Sequence, residues 1–153
     1  MSEMLGNYHF LNGNYSFALQ ELENSYKRFP DNICAKKRLI ICYTQTKNLD
    51  KALDLFTSLI EENIDCIINT KPEEEDCPCA DLVVNIERGK TERTNKYELF
   101  IELGILWLYC DIDQSLNYFL KAHQLNQNEM RLEQIIQLLT SKIKAQLQGE
   151  KND

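Results

Sequence analysis

A chain of 153 residues is long enough to bury the core of a small domain. With 24 acidic and 17 basic residues its net charge is −7, which repels phosphate backbones and argues against a nucleic-acid partner. The longest apolar run, around Ile101–Tyr109, is too short and too interrupted to span a bilayer, so no membrane segment is expected.

The first stretch, Leu5–Pro30, predicts two helices joined by a turn. Tyr15, Leu19 and Leu22 follow one another at spacings of four and three and form a stripe for the seam between the helices. Small residues at Gly6 and Ala18 allow close approach of the two backbones. Asn12-Gly13 suits a turn that needs positive φ, and Asn14 is the expected N-cap of the second helix. Pro30 stops that helix, and Asn32 caps the next.

Moving 34 positions along takes Leu5 to Leu39, Ala18 to Ala52, Leu19 to Leu53 and Leu22 to Phe56. The second unit, Leu39–Ile64, has Asn48 as its expected cap and Leu49, Ala52, Leu53, Phe56 and Leu59 as its stripe. A third unit, Lys96–Gln127, carries Leu103-Gly104 and then Ser115, Phe119 and Ala122, with a turn one residue short. This 34-residue period, with early Leu-Gly, mid-unit Ala and terminal Pro, resembles the tetratricopeptide repeat (TPR) family. The resemblance implies an all-α fold, an α-α superhelix of helical hairpins. Repeats are expected at about 1–31, 32–64 and 96–127 within a single domain over 1–147. Met130–Leu147, with Leu132, Ile135, Ile136, Leu139 and Ile143 on one face, reads as a capping helix over 129–147. Residues 148–153 are expected to be a disordered tail.

Residues 65–95 lack the repeat pattern and are either a degenerate repeat or, preferably, an insertion. The expected local structure is a helix tail to about Asn69, a loop, a short helix over Asp81–Arg88 and a second loop. The loop holds Glu73-Glu74-Glu75-Asp76 and then Cys77-Pro78-Cys79. That cysteine pair, with Cys66, is the one place for a soft metal or a strained, reversible disulfide. Against metal stand the spacing, which is not the repeated Cys-x2-Cys of zinc sites, and the presence of only two histidines, His9 and His123. His9 is expected to pack, and His123 to sit on the surface near a helix end.

No phosphate loop, nucleophile elbow or helical pair of histidines is present, so neither catalysis nor a cofactor is expected. MSEMLGNY shows no signal-peptide pattern, and reduced thiols in a cytoplasmic protein are the expectation for its six cysteines. An initiating Met1 and a polar tail read as a whole protein.

In the TPR family the first helix of each unit lines a concave groove that binds a peptide segment. Carried over by position, the resemblance points to Asn7, Phe10 and Leu11, then Lys37, Arg38, Ile41, Thr44 and Gln45, then Ile101, Glu102, Ile105, Leu108 and Tyr109. One subtype captures a partner's C-terminal carboxylate through a Lys/Asn/Asn/Lys/Arg cluster. Asn7 fits it, but Glu3, Arg38, Glu98 and Glu102 do not, so that subtype is rejected. The expected function is a non-enzymatic scaffold or adaptor holding a peptide or helix of a partner protein. The alternatives are a small acidic chaperone for a secreted client, or a metal/thiol sensor built on the Cys77-Pro78-Cys79 loop.

Overall fold

The structure, a computed structural model, describes residues 2–91, 93 and 95–152, with side chains through Gly149; Met1, Glu92, Thr94 and Asp153 lie outside the described residues. Among these the chain is all-α, with no strand. The sequence predicts one domain over 1–147, whereas the chain clusters into two compact units, residues 1–56 and 57–153.

The first unit begins with α1 (Ser2–Leu11), α2 (Tyr15–Arg28) and α3 (Ile33–Gln45), followed by the start of α4 (Leu49–Asn63). Helix α1 packs on α2, and α2 on α3. The reason for Gly6 is steric: a Cβ there would lie 2.9 Å from Leu22 Cγ. Ala18 and Leu22 are fully buried, so the predicted seam forms at those two positions, while Tyr15 and Leu19 are half-buried. Gly13 turns the chain at φ 74°, and Lys47, 34 residues later, does the same job at φ 64°. Pro30 follows the α2 C-cap, Phe29.

The predicted caps divide. Asn32 Oδ1 accepts from Ala35 N–H, and its amide donates to Glu3 Oε1 at 3.0 Å. Asn14 stands before α2 but makes no side-chain cap bond. Asn48 turns its amide back to donate to the Thr46 carbonyl and hydroxyl.

The second unit holds the end of α4, then α5 (Asp65–Ile68), α6 (Cys79–Glu87), α7 (Lys96–Leu108), α8 (Ile112–Leu125) and α9 (Met130–Asn152). Helix α7 packs against both α6 and α8, and α8 against α9. Gly104 repeats the role of Gly6: a Cβ would lie 2.9 Å from the Phe119 ring. Ser115, buried where the first unit has Ala18, donates to the Gly104 carbonyl at 2.6 Å. The missing residue between these anchors changes the turn. No residue of 109–111 has positive φ, and Asp111 Oδ1 caps α8 by accepting from Asp113 and Gln114 N–H.

Within residues 65–95, α6 starts at Cys79, two residues before the predicted start, and buries Cys79, Val83 and Ile86 along one stripe. Helix α9 buries Leu132, Ile135 and Leu139, as the predicted apolar face requires. Lys142 on it pairs with Asp65 of α5 at 2.6 Å. The helix continues through Asn152 rather than ending near Leu147, so residues 148–152, predicted to be disordered, are helical. Gln148, Glu150 and Lys151 are good helix formers, and Gly149 alone does not stop the helix.

Candidate partner-binding surface

Helix α1 leaves a row of large apolar side chains in solvent. Met4 is 76% exposed, Tyr8 61% and Leu11 55%, with Leu5 beside them. Spacings of four and three put Met4, Tyr8 and Leu11 on one stripe, while Gly6 and Phe10 face inward. Helix α2 adds Phe17, also exposed. His9 joins the two helices: its ring centroid lies 5.4 Å from those of both Tyr8 and Phe17. The packing role predicted for His9 therefore takes the form of an aromatic run at the edge of an apolar surface. Asn7 Oδ1 and His9 Nδ1 are buried there without a hydrogen-bond partner. Among residues 2–17 Glu3 is the only acidic or basic side chain other than His9, so α1 and the start of α2 themselves carry little formal charge.

The positions predicted to line a groove divide by unit. In the first, Arg38 brings α3 to α1 by standing over the Phe10 ring, 5.1 Å from its centroid. Phe10, Lys37, Ile41 and Thr44 are buried, Asn7, Arg38 and Gln45 half-buried, and Leu11 exposed. Thr44 Oγ1 donates to the Ile41 carbonyl at 2.6 Å and accepts from Gln45 Nε2. In the second unit Ile101, Glu102, Ile105, Leu108 and Tyr109 are all buried. The apolar anchors expected to meet a ligand, Ile41, Ile105 and Tyr109, are at most 1% exposed. In this conformation they serve packing, because a side chain without solvent contact offers no area to a partner.

Glu102, expected to present negative charge, is buried and held by Arg93, which also approaches Glu98 at 3.6 Å. Burial of a carboxylate is tolerable because the guanidinium beside it supplies charge and donors. Glu87, at the end of α6, accepts at one oxygen from Trp107 Nε1 at 2.9 Å and Tyr118 Oη at 2.8 Å. Burial, followed by the hydrogen bond to Glu87 and its negative charge, pushes the Tyr118 phenol up to about 12.

The loop cysteines have a different neighbour from the one predicted. Cys79 is buried, and its Sγ lies 3.3 Å from Sγ of Cys110, in the turn between α7 and α8. Cys77 also hydrogen-bonds Cys79. Among the described residues no group of three or more His, Cys, Asp and Glu side chains is arranged to hold a metal ion. Nor is any helix among them long and apolar enough to cross a membrane.

Residues 9–66 match the family model for the tetratricopeptide repeat. That match and the all-α fold of the described residues fit a small TPR-like protein. No curated protein and no solved structure matches it. The matched segment contains α2 and α3, and it begins within α1 beside the exposed stripe. The matched TPR segment supports a protein-interaction module in general.

Met4, Tyr8 and Phe17, exposed in the structure, lie outside the positions to which the family register points. The spacing of Met4, Tyr8 and Leu11 was the available signal. Arg93 and Cys110 carried none, since neither belongs to a periodic pattern.

Proposed function

We propose that the chain is a non-enzymatic adaptor that holds an apolar peptide or amphipathic helix of a partner protein against its first helical unit. The observation that carries this reading is the exposed stripe of Met4, Leu5, Tyr8 and Leu11 with Phe17 beside it. Large apolar side chains gathered on one surface lose free energy in water and regain it under a partner, at roughly 25 cal/mol for each Å² covered. Among the predicted groove residues, Asn7, Leu11, Arg38 and Gln45 retain exposure and belong to the same unit. Leu11 belongs to the stripe itself, and Asn7 lies next to Tyr8 on the same helix.

The test compares capture of proteins from a lysate by wild type and by a Tyr8→Glu, Leu11→Glu variant. Both substitutions are at exposed sites, so the helical circular dichroism is expected to be unchanged. A protein held by wild type and released by the variant supports the reading. Capture that is identical in both sinks it. Substituting Ile41 and Ile105 with Asp is the wrong probe, because both are core residues and the fold itself would be lost.

A further inference from the structure

Cys79 and Cys110 come from segments 31 residues apart, yet α6 delivers one and the α7–α8 turn the other to a separation of 3.3 Å between sulfurs. A disulfide needs about 2.05 Å, so closing the bond requires a movement of little more than an ångström. The surroundings hold both partners in position. Cys79 is anchored by burial, with Val83 and Ile86 of the same stripe. Cys110 is fixed by the turn, where its own N–H and that of Asp111 both donate to the Trp107 carbonyl. Cys110 is exposed and therefore reachable from solution.

We propose that Cys79 and Cys110 form a redox-modification site, closed to an intramolecular disulfide by a small-molecule disulfide such as oxidised glutathione. The Cys110 thiolate attacks one sulfur of the external disulfide, forming a mixed disulfide and releasing one glutathione thiol after proton uptake. Cys79, having lost its own proton to solvent, then attacks Cys110 Sγ and expels the second glutathione. The protein loses two protons and two electrons, and one oxidised glutathione becomes two reduced ones. The product ties the start of α6 to the end of α7.

Cys77 is the competing partner, but its link to Cys79 would close the small Cys-Pro-Cys ring, which favours bond strain. In the reduced form the hydrogen bond from Cys110 favours the Cys79 thiolate. The Cys77 bond, burial and the nearby thiol charge outweigh it and push Cys79 up to about 12. Cys110 is raised as well, by its bond to Cys79, by the partial burial of its sulfur against α6, and by the charges of Cys79 and Asp111. Both thiols are therefore protonated at neutral pH, and exchange accelerates as pH rises.

The full chain is equilibrated with reduced and oxidised glutathione at about pH 8.5, then alkylated and weighed intact, since thiolate is more abundant there. The expected product has lost two hydrogens, and peptide mapping joins the Cys77–Cys79 segment to the Cys110 segment. Cys77→Ser keeps the link, whereas Cys110→Ser and Cys79→Ser abolish it. Oxidation raises the Tm of wild type by roughly 5–10 °C and leaves Cys110→Ser unmoved, while reduced wild type and reduced Cys110→Ser melt together. A link lost in Cys77→Ser, a persistent mixed disulfide, or full alkylation of both thiols after equilibration overturns the proposal.

Discussion

The α1–α2 and α7–α8 hairpins use the same contact at their centres and different chemistry at their turns. At the centre each has a glycine whose missing Cβ admits a large side chain from the next helix: Leu22 against Gly6, Phe119 against Gly104. At the turn, the first hairpin relies on left-handed Gly13, whereas the second is one residue shorter between anchors and relies on the Asp111 cap. The close approach of the two helices thus specifies the unit, and the turn is free to vary as long as some device stops one helix and starts the next.

The largest expected break in this comparison is at the centre. Gly104→Ala puts a methyl group against three ring atoms of Phe119, all within 3.0 Å, and a flat ring cannot fold away. Destabilisation of about 2 kcal/mol is expected. Gly6→Ala meets the more adaptable Leu22, and better helix propensity offsets much of the clash, leaving a loss below about 1 kcal/mol. Urea unfolding followed by circular dichroism distinguishes the two; equal losses would show that ring rigidity is irrelevant.

The turns come next. Asp111→Ala removes two accepted N–H bonds and is expected to cost about 1 kcal/mol. Asn14→Ala, at the corresponding place in the first hairpin, is expected to change stability by only a few tenths of a kcal/mol, because Asn14 makes no cap bond. The same titration checks both, and a larger loss for Asn14→Ala would reverse the assignment of the caps. The smallest effect has the opposite sign. Lys47→Gly relieves a left-handed lysine and is expected to raise stability by roughly 0.5 kcal/mol, the relief exceeding the added chain entropy. A lower Tm for that variant would count against strain at Lys47.

Much of the fold was legible in the sequence because the repeat register places small residues where helices touch: Gly6, Ala18 and Gly104 all fall where the spacing predicts. Pro30 and Asn32 were legible because their chemistry is local. The device at Lys47 was not, since nothing in a lysine announces positive φ, and only its distance from Gly13 gives it away. Capping by Asn14 failed for a related reason: residue type supplies an acceptor, but backbone geometry decides whether an N–H reaches it. The surface was hardest to read. An apolar helix face turned toward a ligand and one turned toward its own chain have the same pattern, so Ile41, Ile105 and Tyr109 could not be distinguished from Leu11.

Glu87 gives the molecule an optical consequence. The chain has a single tryptophan, and its indole N–H is bonded to that carboxylate on α6. The emission of Trp107 is therefore a single-site signal for the seating of α6 on α7. Any ligand, oxidant or substitution that lifts this short helix breaks the bond from the indole to Glu87, and a change in the protein's own fluorescence records the event without a label.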